Sequence, residues 1–468
     1  MLLIRYKVAP YGATFSLINK LSCFIIIEDF YTIFSKRLDF ILLSRGAYMN
    51  FYLYQFKWLI IASIAGLLIA FFFVVVPEGF LYDVSGRDYG EDGRVERFTS
   101  VTQLKDSSLL IIGYSKKGFN TQNKGAYLLK VALNGSQGWS KSFSEEGNIK
   151  FNGIQEVSDS GVILVGEKSL SANSKVDAYI LKVDKQGNKK WSMQFGDKYA
   201  DSFKVVKELR DGSLLIGGKV RIAQGEDSFN EQAYLVKLDK DGKQEWIKEF
   251  GGEYYDGINS IKEALDGGIV LVGYYGTDRY MYSRNAYIIK LDSVGNQQWS
   301  KIIGEEGYNS SLNSVIENKE GELILVGQVR GKEADSYGGY IVKLNSNGNK
   351  LWTKVYQNQE EEDYYLFTDI AEAEDDYFII VGYKLIFIEE SSDYRHVSYV
   401  SKIDESGQKK WTKSFRSSYQ DGGFNSISKV DNGDFILAGW IQDRQEVDGY
   451  LLKIDSKGNE VKFEKEQD

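Results

Sequence analysis

Three aspartates recur at one place in this sequence: Asp201, Asp256 and Asp421 each lie ten residues after a tryptophan, and Asp92 lies ten residues after Tyr82. Carboxylates gathered on one face could bind a cation or a basic partner. The other chemistry open to such an Asp is capping a turn by accepting backbone N–H bonds. A second acidic group runs through Glu360, Glu361, Glu362 and Asp363, then Glu372, Glu374, Asp375 and Asp376. A carboxylate pair at the right separation hydrolyses glycosides; a solvated loop is the plainer use. Asp239, Asp241 and Gly242 supply half of a calcium loop and lack the distal Glu. One His, His396, and one Cys, Cys23, exclude histidine metal clusters, thiolate zinc sites and disulfide frameworks. No metal or cofactor is expected.

The elements that must position these residues form a repeat. Tryptophans at 139, 191, 246, 299, 352 and 411 are spaced by 52, 55, 53, 53 and 59 residues. Each closes a segment such as AYILKVDKQGNKKW (178–191) or AYIIKLDSVGNQQW (286–299), and a seventh copy, 449–462, ends in Lys462. Upstream of each lies an apolar run ending in Gly113, Gly166, Gly218, Gly273, Gly327, Gly382 or Gly439. Upstream again is an apolar–polar–small–apolar quartet: FTSV (98–101), FNGI (151–154), FKVV (203–206), INSI (258–261), LNSV (312–315), FTDI (367–370) and FNSI (424–427).

These segments are short, rich in Val, Ile, Leu and Tyr, and bounded by Gly, Asp or Asn, as strands are. The Asp-Gly pairs at 211–212 and 266–267 mark tight turns, and D-x-x-G-N at 292–296 marks another, with Gly295 at positive φ. Four antiparallel strands per repeat, a to d, follow. Their runs are apolar on both faces, so each sheet needs a neighbour on either side, and radial stacking supplies it. The expectation is an all-β, seven-bladed β-propeller over residues 80–468. The small residues Ser100, Gly153, Ser260, Ser314 and Ser426 suit the crowded innermost strand; Val205 and Asp369 depart from the pattern. Tyr82 stands where a Trp would, so 80–86 is expected to complete or extend blade seven, with 461–466 competing for that place.

Residues 58–76 are 19 residues without a charge, long enough for one N-terminal transmembrane helix. Residues 1–57 carry seven Lys/Arg against three acids, so a chain total of −9 leaves −13 for everything beyond the helix. The positive-inside rule then places 1–57 in the cytoplasm and the propeller on the extracytoplasmic side of a single-pass anchor. Met49 opens a short stretch leading straight into the helix, so residues 1–48 are expected not to be translated. An acidic outer domain argues against nucleic acid.

The recurring Y-[IL]-x-K-[LVI]-D-x-x-G-N-x-x-W with D-G-x-x-[IL]-[LV]-x-G resembles the PQQ-like, or quinoprotein-like, propeller repeats of secreted and surface-anchored bacterial and archaeal proteins. The resemblance implies that Trp139, Trp191, Trp246, Trp299, Trp352 and Trp411 dock between blades. Composition agrees, since a large aromatic met once per repeat is core. The turn is one residue shorter than the quinoprotein turn. The adjacent cysteines of the enzymes are missing, so a redox enzyme is disfavoured. The expected role is a non-catalytic binding or scaffold module for a protein or glycan, recognised by the b-to-c loops (115–125, 167–177, 219–232, 274–285, 328–338, 384–397 and 440–448). The alternative is a polysaccharide hydrolase or lyase using the acids of repeat six.

Overall fold

The computed structural model describes residues 81–82, 87–88, 94–117, 124–143, 147–169, 175–196, 200–223, 229–279, 283–304, 309–331, 337–357, 364–388, 393–415, 420–443 and 446–463. Segments 1–57 and 58–76, and Asp92, lie outside these, as do the tips of the b-to-c loops. Among the described residues no helix is long and apolar enough to cross a membrane.

The repeats form a seven-bladed propeller of four-stranded antiparallel blades. The innermost strands are Arg94–Gln103, Asn148–Glu156, Ser202–Glu208, Gly257–Glu263, Asn309–Glu317, Tyr364–Glu372 and Gln420–Lys429. The core is not one mass but seven apolar clusters, one in each junction between adjacent blades. Alternate residues of one strand feed alternate junctions: Leu110 and Ile112 face blade two, while Leu109 and Ile111 face blade seven. This is why the runs read as continuously apolar.

A Trp packs in six of the junctions, as expected, and its partner is a glycine. The turn between strands c and d of each following blade places Gly187, Gly242, Gly295, Gly348, Gly407 and Gly458 at positive φ against Trp139, Trp191, Trp246, Trp299, Trp352 and Trp411. A Cβ on any of them would sit within 2.9 Å of the indole. In the seventh junction, beside Lys462, Phe463 is buried with Leu133 instead. The turn itself is held by its Asp: Asp292 Oδ1 accepts the N–H groups of Val294 and Asn296 at 3.0 and 2.7 Å.

Every innermost strand carries a β-bulge at the second residue of its quartet, with register shifting between Phe98 and Ser100, Phe151 and Gly153, and so on around the ring. The bulge presses the carbonyl before the quartet onto the glycine inside strand b that ends its apolar run. A Cβ on Gly166 would lie 1.9 Å from Lys150 O, and one on Gly439 1.9 Å from Gly423 O. Hence the Gly that ends each apolar run.

Closure differs from the expectation. Leu81–Tyr82 pairs in parallel with Ser414 and Phe415, on the outer strand of blade six. The short strand Arg87–Asp88 is the one beside blade seven, pairing with Leu451 and Tyr450. The C-terminal segment shares that edge, with Glu460 bridging Ile454 and Val461 N–H donating to Lys453 O. The ring is also closed edge to edge, by Val447 pairing with Val95 and by the junction between blades seven and one. The Lys of the Y-x-x-K pattern is buried in four blades, at Lys182, Lys290, Lys343 and Lys453, and pairs beneath the a–b turn of its own blade, as Lys290 does on Asp266 at 2.8 Å and Lys182 on Asp159 at 2.6 Å.

Candidate functional site

The residue that bulges in each innermost strand is Thr99, Asn152, Lys204, Asn259, Asn313, Thr368 or Asn425. The bulge turns these side chains toward the axis, where six of them form a belt. Each donates to the carbonyl of the first quartet residue in the next blade: Asn152 to Phe203 O at 2.8 Å, Asn259 to Leu312 O at 2.8 Å, Asn313 to Phe367 O at 2.7 Å. Thr99 and Thr368 reach Phe151 O and Phe424 O at 3.1 and 2.8 Å. Asn425 closes the circle on Phe98 O at 2.6 Å. The bulge frees each of these carbonyls from the ladder, and the belt satisfies them. Lys204 is the one break.

The belt is the floor of a cavity of about 470 Å³ at the end of the channel where strands a begin and strands b finish. Three cations enter it from blades one to three: Arg97, Lys150 and Lys204. Among the described residues no Asp or Glu lines it, in a chain of net charge −9. Arg97 is set by aromatic packing, its guanidinium carbon 4.0 Å from the ring centre of buried Trp440. His396 meets the same ring edge-on at 5.6 Å and lies 5.2 Å from Tyr383. Lys150 has a distant carboxylate, Glu167, at 3.8 Å. Among the described residues Lys204 has no ion-pair partner. Desolvation, followed by the positive charge of Lys150, lowers its ammonium to about 8, while Glu167 opposes the shift. Burial pushes the Tyr383 phenol up.

Of these residues the sequence analysis singled out His396 alone, and on a loop. It lies within the third strand of blade six, opposite Leu385. The signal for the belt was the polar second slot of the quartet. It stood in every repeat and had no assigned role.

The four aspartates have separate surroundings. Asp256 is fully buried and accepts the N–H groups of Gly252 and Gly276 at 2.8 and 3.0 Å. Desolvation pushes its carboxyl up to about 6. Asp201 is buried and accepts the Arg221 N–H at 2.8 Å. The two are linked through Glu231, which is buried between Lys219 and Arg221 at 2.8 and 2.9 Å and whose carbonyl accepts the Asp256 N–H. Glu231 and its two cations were not foreseen. Asp421 lies in the first strand of blade seven opposite Gln442, and Asp92 is outside the described residues. The carboxylate of Asp256 is thus engaged in the blade three–four junction, and that of Asp201 at the start of blade three, whose backbone N–H donates to Val176 O of blade two.

Of the acids of repeat six, Glu360 to Asp363 lie outside the described residues. Asp375 and Asp376 form the a–b turn at the opposite end of the blade from the cavity, at φ 58 and 60°, and Asp376 pairs with Lys319 at 2.7 Å. Asp239 accepts the N–H groups of Asp241 and Lys243, making a turn like that of Asp292.

No protein-family model matches this chain, and no curated protein matches it in sequence. Solved structures match it as folds. A puromycin hydrolase superposes with a TM-score of 0.52 at 10% identity, over 82% of this chain and 57% of its own. The chain thus spans little more than half of that protein. A polysaccharide lyase, Uly1, gives 0.48 at 11% identity over 81% of this chain and 92% of its own. A protein of unknown function from Bacteroides caccae gives 0.40 at 10% identity over 69% of this chain and 98% of its own. At such identities the likeness is one of fold, shared by proteins of unrelated function.

Proposed function

We propose that this chain is a membrane-anchored, extracytoplasmic propeller that binds a ligand at the mouth of its central channel without transforming it. One observation carries the proposal: residues from all seven blades converge on one polar cavity that, among the described residues, holds three cations and no carboxylate. Convergence of that kind makes a pre-formed site. Among its described residues the cavity offers no carboxylate pair, which glycoside hydrolysis needs. The uncharged run 58–76 and the positive segment before it support the anchor and its orientation.

Photo-cross-linking of the full-length chain in its native membrane tests this. A benzophenone amino acid replaces Tyr114 at the mouth or Asp241 on a c–d turn at the far face. Adducts from position 114 and none from 241 are expected. Adducts from 241 alone would move the binding face to the other end of the disc.

A further inference from the structure

The mouth of the channel is chemically lopsided. Blades one to three present the cations Arg97, Lys150 and Lys204. Blades four, five and seven present Asn259, Asn313 and Asn425, each of which gives one amide N–H to the belt. Among the described residues no donor reaches the Oδ1 atoms of these three amides, which are left as acceptors on the cavity side. One half of the rim therefore calls for negative charge and the other, with an amide oxygen and a second N–H on each Asn, for hydroxyls, which both donate and accept.

Few ligand classes answer both halves. An inorganic anion satisfies the cations and leaves the amide oxygens unmatched. A neutral sugar satisfies the amides and leaves Arg97 and Lys204 without a carboxylate partner among the described residues. A basic peptide is repelled. We infer that the cavity takes an acidic sugar, a polyhydroxylated ring bearing a carboxylate, with the carboxylate held by Arg97, Lys150 and Lys204 and the hydroxyls donating to Asn259, Asn313 and Asn425. This rests on the channel mouth being the binding site, and it names the ligand class for that site. Arg97 suits the task because its planar fork pairs with a carboxylate through two bonds and Trp440 holds it in place. Tyr114 and Tyr383 supply wall for the apolar face of a ring. The volume, about 470 Å³, is that of a small-ligand pocket.

Lys204→Asn is the informative variant. Four other blades carry Asn at this slot, so the change removes a cation and leaves a side chain the fold already accommodates. The full-length chain in detergent is titrated calorimetrically with D-glucuronate, D-glucose, inorganic phosphate and L-glutamate. Glucuronate binding is expected, with glucose and phosphate at least tenfold weaker. Lys204→Asn is expected to weaken glucuronate about tenfold, the effect of one charge-assisted hydrogen bond, with no loss of thermal stability. Phosphate or glutamate binding as tightly as glucuronate, and weakened equally by Lys204→Asn, would overturn the acidic-sugar assignment and leave the binding site where it is. No binding by any of the four would also overturn the assignment. The position-114 adducts then tell whether the site itself stands.

Discussion

Replacing Gly348 by Ala separates two reasons for a glycine. Gly348 sits at φ 76°, and a Cβ there would approach three atoms of the Trp299 indole at 2.9, 2.9 and 3.0 Å. Gly267, in an a–b turn, sits at φ 80° with nothing within 4 Å of its Cβ position. Left-handed backbone costs a non-glycine residue about 1–2 kcal/mol, and both substitutions incur it. Only Gly348→Ala must also displace a packed indole, an overpacking cost of about 1–3 kcal/mol. Gly267→Ala should therefore destabilise by about 1–2 kcal/mol and Gly348→Ala by about 2–5 kcal/mol. Urea unfolding followed by tryptophan fluorescence reads the difference as a shift in midpoint at constant slope. In a Trp299→Ala background the extra cost of Gly348→Ala should vanish, a coupling of about 1–3 kcal/mol. Equal shifts for the two single variants, or no coupling, would refute the view that each Trp docks on the next blade's turn. The chain already hints at the outcome: a–b turns tolerate Ser107, Ser160 and Asp376 at positive φ, whereas the c–d turn has glycine in all seven blades.

Lys204→Asn should add the seventh bond of the belt, to Ile258 O, raising stability by about 1 kcal/mol in the same urea assay; a lower midpoint would dismiss the belt as a stabilising device. Ligand affinity for an anion should fall as pH rises through about 8, where Lys204 loses its proton. The groups around it are Lys150 and Glu167 from blade two, Lys219 from its own blade and neutral Asn259 from blade four. Calorimetry at pH 7 and pH 9.5 reads the change, and equal affinities would exclude Lys204 from the site. Asp256 works in the opposite sense to an ordinary carboxylate. Its folded value of about 6 exceeds the ordinary 3.8, so the folded state holds the proton more tightly between those limits. Its contribution to stability is complete below pH 4 and is lost as pH rises to 6, by up to about 3 kcal/mol. Asp256→Asn should abolish that slope in unfolding measured from pH 4 to 7. Phe463→Ala, which empties the junction that lacks a tryptophan, should cost about 3–5 kcal/mol by the same unfolding, and more than deletion of 81–88, whose strands pair only two residues each.

Much of this fold is written locally. Strand length, the Asp and Gly of each turn, and the Trp met once per repeat are decided within about fifteen residues of chain. Copying such a unit seven times leaves two apolar faces per blade that only a ring can cover. The quartets FNGI and LNSV carried the belt in plain view. A polar residue inside an apolar strand reads as a solvent-facing position, and only the bulge shows that it turns to the axis. The aspartates show the converse limit. Asp201, Asp256 and Asp421 share one spacing, yet Glu231, Lys219 and Arg221 give the first two a buried ionic setting that spacing does not encode.

The sequence by itself therefore determined the blade, its turns and the number of blades, because short-range chemistry fixes them. Tertiary structure decided the closure, the belt and the cavity. Asn425 meets Phe98 across 327 residues, and Arg97 meets Trp440, only when the ring brings its first and last blades together. A site made of one residue from each blade has no neighbourhood in sequence, and its charge pattern appears only around the axis.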